Sequence, residues 1–297
     1  MDIDTRLLRY FVAVAEEGHL TRAAQRLYVS QPALTKQIKQ LEQQLGVELF
    51  VRSRTGMALT EPGRVFAEYA PGLLTGWDRM LRETKSGASR AAKVLRVGFI
   101  ASAANEFTPE IVAAFGAAHS GWRIDMRQFG WTDPSAGLDD GDVDAALVRL
   151  PFPGHERYRI EELFEEPRYI AMPATHRLAE REEIDFEELW GQPFVAAPPE
   201  NGWWRDFWIG TDARPADTAV IGAIARNTDE WLTAIGNGFG MSFTPESSTR
   251  YYPRPGVVYR PVRGIGPSRV AVAWPASADV NPMVRDFVRC CVQVCGA

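Results

Sequence analysis

The 297-residue chain is poor in cysteine and histidine, with three of one and four of the other. Cys290, Cys291 and Cys295 sit together at the C-terminal end of the sequence. They provide no disulfide framework, and no other Cys or His stands with them at zinc spacing. Cys291 and Cys295 lie one helical turn apart in an apolar segment, so simple burial is expected, with redox sensing the alternative. His19, His119, His155 and His176 show neither HExxH spacing nor an evident Ser or Cys partner. The GxxxxGK[ST] pattern is missing, and the glycines from Gly236 to Gly240 lack GxGxxG spacing. These absences argue against an enzyme and give no catalytic residue, metal site or cofactor to expect. No apolar run nears the roughly 20 residues of a membrane span. Met1-Asp2-Ile3-Asp4 has no basic stretch leading into an apolar one, so a signal peptide is not expected either. The expectation is a cytoplasmic protein with no membrane partner.

What is present is an ordinary globular balance, 45% hydrophobic and 24% charged, over a length that suits about two domains. The net charge of −5 is unevenly spread. Residues 1–90 carry 13 Lys+Arg against 10 Asp+Glu, and the rest carries 20 against 28. A basic N-terminal part on an acidic chain is compatible with a DNA-facing segment, although so small an excess is common elsewhere.

Leu7, Leu8, Phe11, Val14 and Ala15 recur at helical spacing, with Gly18 as the stop. Leu20, Ala23, Ala24 and Leu27 mark a second short helix. Ser30 is a good N-cap for a third, which tolerates Pro32 in its first turn. Leu34, Ile38, Leu41 and Leu45 form its buried stripe, up to Gly46. The opposite face carries Gln31, Thr35, Lys36, Lys39 and Gln40. It is either a solvated polar face or a surface that reads base edges in a major groove. The short turn between the second and third helices favours the latter. So does the hairpin-like run 49–59, whose Arg52 and Arg54 are suited to phosphates and whose Gly56 is suited to the turn.

The run from Phe11 to Thr60 resembles the DNA-binding domain of LysR-type transcription regulators. The TRAAQRL helix, the VSQPALT turn and helix start, the QIKQLEQQLGVELF core and the LTEPG exit occur in fixed order. The resemblance implies DNA contacts from Gln31, Pro32, Thr35 and Lys36 and wing contacts from Arg52 and Arg54. Family members often have Ser-Arg in place of Thr35-Lys36, and Lys lacks the bidentate fork of Arg. They often have a capping Ser in place of His19, so the cap of the second helix is expected from Thr21 or to be weaker.

After Thr60, the residues Phe66, Ala70, Leu73, Trp77 and Met80 repeat at spacings of 4, 3, 4 and 3, a coiled-coil-like seam. Such a seam packs on its own domain or on a second copy. The resemblance favours the second, with Phe66, Leu73 and Trp77 at a homodimer contact and with a homotetramer as the larger assembly. Pro71-Gly72 is expected to kink this helix, and residues 85–90 read as a hinge.

Beyond residue 94, strand-like and helix-like runs alternate, predicting an α/β domain with a mainly parallel sheet. Strands are expected at 94–100, 122–127, 144–150, 169–173, 194–197, 220–224, 241–245, 257–260 and 270–274, and helices at 109–118, 229–237 and 282–295. VGF at 97–99, GDVDAA at 141–146, ELFEEP at 162–167 and IGNGFGM at 235–241 resemble the LysR-type effector domain. That domain is built like type 2 periplasmic binding proteins. The expected division is a winged helix-turn-helix at 1–60, a linker helix and hinge at 61–90 and an effector domain at 91–297. Its first lobe is about 94–160 with 267–297, and its second is about 161–266. Ligands of open α/β sheets bind beyond the carboxyl ends of strands. Here that selects Ser102, Trp131, Thr132, Arg149, Asn227 and Thr228, which match the family's effector cleft. Arg149 either pairs with a ligand carboxylate or forms an internal ion pair. Trp131 either stacks on a ligand or fills the space. Three tryptophans within 203–208 cannot all share one helical face, so one or more is expected at a cleft rim or an interface.

The expected function is sequence-specific binding of double-stranded promoter DNA, modulated by a small organic, anionic effector between the lobes. RNA polymerase is a candidate further partner. A DNA-binding protein whose second domain is a ligand-independent scaffold is the alternative.

Overall fold

The computed structural model describes residues 3–27, 29–53, 56–100, 103, 105–213, 219–276, 278 and 281–296. Two compact units result, Met1–Thr84 and Lys85–Ala297. In the first, α1 (Thr5–Glu17) starts on the Asp4 carboxylate, which accepts from the Arg6 N–H, and ends where Gly18 turns left-handed at φ 59°. Next come α2 (Leu20–Arg26) and α3 (Gln31–Leu45). His19 Nδ1 accepts from the Thr21 N–H at 3.2 Å. The imidazole therefore fills the capping role itself, and Thr21 does not. Ser30 caps α3 as expected.

The strands β1 (Phe50–Ser53) and β2 (Gly56–Leu59) pair antiparallel into a wing. It is tied down twice. The Glu42 carboxylate accepts the N–H groups of Leu49 and Phe50 at 2.8 and 3.1 Å, and the Met57 N–H donates to the Gly18 carbonyl at 2.8 Å. Gly56 is needed for that approach, since a Cβ there would lie 2.3 Å from the same carbonyl oxygen. Phe11 is the centre of the core, against Phe50 at 5.1 Å and Phe66 at 4.8 Å.

Thr60 caps α4 (Glu61–Ala91) by accepting from the Gly63 N–H at 3.0 Å. The helix runs on through Pro71-Gly72, where proline removes one donor from the ladder. Residues 85–90 are helical rather than an extended hinge. Their Ser residues bond one turn along, Ser89 to the Lys85 carbonyl at 3.1 Å and Arg90 to Ser86 Oγ at 2.9 Å.

The second unit begins with β3 (Val94–Ile100), α5 (Thr108–Ala118), β4 (Arg123–Phe129), β5 (Ala145–Leu150) and β6 (Tyr158–Glu166). It crosses to β7 (Arg168–Pro173), β8 (Ile184–Asp185), β9 (Pro193–Ala196), α6 (Gly202–Trp208), β10 (Val220–Ile224), α7 (Thr228–Gly236), β11 (Ser242–Pro245), α8 (Ser248–Tyr251) and β12 (Val257–Arg263). It returns through β13 (Ser268–Pro275) to α9 (Pro282–Cys295). The first lobe has one five-stranded sheet, ordered β4-β3-β5-β13-β6. Only β4, β3 and β5 run parallel, while β13 returns antiparallel between β5 and β6. The sheet is thus mixed rather than mainly parallel. The first crossing comes after Glu166, because β6 stays paired to β13 past residue 160 where the sequence suggested it would leave. The second lobe has the sheet β11-β7-β12-β8 and the parallel pair β9-β10, joined by a bridge from Phe194 to Met241.

Every residue of β5 is buried, as expected of a strand covered on both faces. One face packs on Ile111, Phe115, Val284 and Phe287, and the other on Leu138, Phe152 and Trp204. Arg96 and Asp144 lock β3 to the entry of β5, with Nη2 to Oδ1 at 2.8 Å and Nε to Oδ2 at 3.2 Å. Cys290 and Cys291 are buried in α9 and Cys295 is half-buried. Burial pushes the Cys295 thiol up to about 11 and the Cys291 thiol further still, which gives them little thiolate character near neutral pH.

The close approach of β3 to residue 136 gives a test. A Cβ on Gly98 would meet the Ala136 carbonyl oxygen at 1.9 Å, whereas one on Gly116, in α5, meets nothing within 4 Å. Gly98→Ala should lower unfolding free energy by about 1–3 kcal/mol, and Gly116→Ala should raise it by up to about 1 kcal/mol through helix propensity. Urea unfolding followed by circular dichroism measures both.

Candidate functional site

In the N-terminal unit, α3 turns Leu34, Ile38 and Leu41 inward and leaves Gln31, Pro32, Lys36, Lys39 and Gln40 exposed. Thr35 is half-buried between the two faces. The Gln31 amide donates to Thr35 Oγ1 at 3.0 Å, and that hydroxyl donates to the Gln31 carbonyl at 2.9 Å. The first turn therefore presents its polar atoms in a fixed arrangement. A groove runs between α3 and the wing, and its lining includes Thr35, Lys39, Glu42, Glu48, Arg52 and Met57. Among the described residues no carboxylate pairs with Lys36, Lys39 or Arg52, whereas Arg22 and Arg26 are held by Glu16 and Glu17. Three of the described cations of this unit without a carboxylate partner, Lys36, Lys39 and Arg52, thus stand on α3 and the wing, and two more, Arg79 and Arg82, stand on α4. Arg54 lies outside the described residues.

The apolar seam of α4 divides in two. Phe66 and Ala70 turn into their own domain beside Ala67 and Leu74. Phe66 is half-buried with its ring edge-on to Phe11, so it packs on its own domain and is less open to a second copy than Leu73 and Trp77. Leu73 and Trp77 remain exposed, in line with Val65, Tyr69 and Met80.

In the second unit, a cavity lies between the lobes. Its wall includes Trp131, Trp204, Trp208, Trp231, Thr228 and Arg149. Trp131 follows β4 in the first lobe, and Trp231 belongs to α7 in the second. Their rings meet edge-on at 5.9 Å. Trp204 and Trp208, one turn apart on α6, share the face that lines the cavity, while Trp203 points out beside His155. Ser242, Thr244, Ser248 and Tyr252 supply hydroxyls at another part of the wall.

Of the residues singled out from sequence, Trp131, Arg149 and Thr228 line this cavity. Thr132 is exposed and outside it. Asn227 is spent as the N-cap of α7, accepting from the Glu230 N–H at 2.9 Å. Ser102 lies outside the described residues. Arg149 takes the internal option. Its Nη2 donates to Glu166 Oε2 at 2.5 Å and its Nη1 to Ser268 Oγ at 2.9 Å. Burial draws the guanidinium's pKa down, and Glu166 opposes that shift. The other oxygen of Glu166 accepts from the Ser247 N–H at 2.7 Å.

Two family models match. "Bacterial regulatory helix-turn-helix protein, lysR family" covers residues 5–64, and "LysR substrate binding domain" covers residues 88–296. The chain belongs to the LysR family. It is a transcription regulator with a helix-turn-helix DNA-binding domain and an effector-binding domain, in a family of regulators rather than enzymes. It is 31% identical over 294 residues to the Hca operon transcriptional activator HcaR of Escherichia coli, covering 96% of each chain. It is 28% identical to the regulator AlsR of Bacillus subtilis over 289 residues, 96% of this chain and 94% of that one. Among solved structures, a full-length OxyR variant from Pseudomonas aeruginosa matches at TM-score 0.52 and 26% identity, over 99% of this chain and 100% of that one. A full-length BenM variant matches at 0.54 and 26%, over 98% and 96%. No described helix is long and apolar enough to cross a membrane.

Sequence reasoning about this LysR regulator expected one or more of the tryptophans at 203–208 at a cleft rim or an interface, without saying which, and Trp204 and Trp208 line the cavity; it missed Trp231 and Tyr252. The i, i+4 spacing of Trp204 and Trp208 was the available signal for one pair. Nothing local marked Trp231, whose indole comes into the cavity wall from inside a helix. The buried ion pair supplies a test here. Removing one partner leaves the other charge buried and uncompensated, so Arg149→Ala should cost about 3–5 kcal/mol of stability in urea titrations, regardless of added ligand. A loss below about 1 kcal/mol would mean that Glu166 finds another partner or a proton.

Proposed function

We propose that this chain binds promoter DNA through Gln31, Pro32, Thr35 and Lys36 of α3 with Arg52 and Arg54 of the wing, and that a small organic molecule between the lobes of the second unit modulates this binding. The observation that carries the reading is the polar α3 face with unpaired Lys36, Lys39 and Arg52 beside it. Free cations serve phosphate contacts and counterion release, and an exposed Gln and Lys in the first turns serve base edges. The functional division follows: residues 1–60 read DNA, 61–90 join two copies, and 91–297 sense the effector. The exposed Leu73 and Trp77 support a homodimer built on α4, with a homotetramer as the larger assembly. RNA polymerase joins the partners where the bound regulator activates, and the cytoplasm is the working compartment.

The cavity between the lobes supports the sensing role, because walls drawn from both lobes make its ligand sensitive to the angle between them. A ligand shifts such an equilibrium only by its difference in affinity for the two arrangements. The charge on Arg149 is already engaged by Glu166, so it gives no support to the anionic preference expected from sequence.

Gln31→Ala and Lys36→Ala should each weaken specific promoter binding by about 1–3 kcal/mol, with thermal unfolding unchanged. Titration of labelled promoter DNA measures this. Unchanged affinity and selectivity in both variants would remove α3 as the reader. Replacing Leu73 and Trp77 together by Asp should give monomers in light scattering. A dimer that survives the change, with full DNA binding, would place the contact elsewhere.

A further inference from the structure

We propose that the cleft selects an uncharged, planar aromatic or heteroaromatic molecule carrying hydrogen-bond acceptors, and that the indoles of Trp204, Trp208 and Trp231 recognise it. The inference rests on the reading of this cleft as the effector site and adds the chemical class of the ligand.

Shape is the first ground. Four indoles surround one cavity, arranged as two edge-to-face pairs, Trp131 with Trp231 at 5.9 Å and Trp204 with Trp208 at 6.2 Å. Such walls offer flat faces and edges to a ring inserted between them.

Hydrogen bonding is the second. The indole N–H groups of Trp204, Trp208 and Trp231 are buried and have no hydrogen-bond partner among the described residues. Trp204 and Trp231 are only 4% and 3% exposed. Buried donors are nearly always satisfied, and an indole nitrogen donates without accepting. The three nitrogens are covered by the protein itself, and an indole that turns its unmade donor to the cavity calls for an acceptor there: a carbonyl, a ring nitrogen or a hydroxyl oxygen.

Charge is the third. Arg149 is the sole charged side chain of the described cavity wall, and Glu166 neutralises it at 2.5 Å. Nearby, Arg250 is held by Glu106 at 2.9 Å. An entering carboxylate would give up its hydration for an arginine already taken and would meet the carboxylate that took it. An entering cation would find Glu166 equally engaged and would meet the positive edges of the indole N–H groups. An uncharged acceptor avoids both costs.

The test compares matched probes on the full-length protein: benzamide, benzoate, benzylamine and cyclohexanecarboxamide, by tryptophan fluorescence and thermal unfolding up to about 10 mM. Benzamide should bind about tenfold tighter than each of the other three and should raise the unfolding temperature. Trp208→Phe and Trp231→Phe keep a ring and delete the donor. Each should weaken benzamide several-fold, by about the net value of one hydrogen bond, while the protein alone unfolds at an equal or higher temperature. Preference for benzoate or benzylamine, or unaltered benzamide affinity in both variants, would overturn the inference and leave the cleft as the effector site. Binding of none of the four would also overturn it. The effector-site reading itself fails separately, if a broad small-molecule stability screen yields binders and none is displaced by a bulky residue placed at Thr228.

Discussion

One buried ion pair of the first lobe, Arg149 with Glu166, stands where the chain of the second unit crosses between its lobes. Arg149 ends a central strand of the first sheet, and Glu166 is the last residue before the chain crosses to the second lobe. Ser268, where the chain has crossed back, accepts from the same guanidinium, and the Ser247 N–H of the second lobe donates to the same carboxylate. Both crossings are therefore tied to one charge pair. Burying such a pair is costly unless its remaining valences are filled, and here serine groups from both lobes help to fill them. Arg168, just past the first crossing, repeats the device. It binds Asp212 at 2.8 Å, the Gly266 carbonyl of the second crossing at 2.6 Å and the Phe207 carbonyl at the end of α6 at 2.9 Å.

That arrangement joins the cavity to the crossing strands without any long-range route. α6 carries Trp204 and Trp208 on the cavity wall and, next to them, the Phe207 carbonyl that holds Arg168. Arg149 both lines the cavity and holds Glu166. A ligand that displaces α6 or the Arg149 side chain acts on the groups that fix the crossings. The two functions share atoms, so the lobe angle and the cavity cannot be set independently.

Local chemistry made much of this legible from sequence. Gly18, Ser30 and Gly46 are punctuation that any context would respect, so α1 ends, and α3 starts and ends, where expected. The runs at 94–100 and 220–224 formed strands because their apolar pattern suits no other element of that length. The failures have two causes, local bonds that composition hides and contacts with residues far away in sequence. His19 serves as a cap because its imidazole nitrogen can reach the Thr21 N–H. Residues 85–90 look like a loop by composition, yet the i, i+4 bonds of Ser86 and Ser89 keep them helical. Phe66 belongs to the period of the exposed seam, but Phe11 lies beside it and holds it on its own domain. Arg149 was left between two partners by sequence, since Glu166 is close only once β5, β13 and β6 are aligned in one sheet.

The same distant alignment explains why charge alone was a poor guide to the ligand. An arginine at a strand's carboxyl end invites an anion when considered alone. Folding brings Glu166 to it first, and the site that remains is defined by what the fold leaves unsatisfied rather than by what it has paired. In the reader the leftover groups are cations, Lys36, Lys39 and Arg52, which suit phosphate. In the cleft they are indole donors on an apolar wall, which suit an acceptor on a flat ring. The two sites of this regulator therefore differ in kind. On the readings proposed above, one would work through long-range charge and weaken with salt, and the other through desolvated short-range contacts that salt leaves largely untouched.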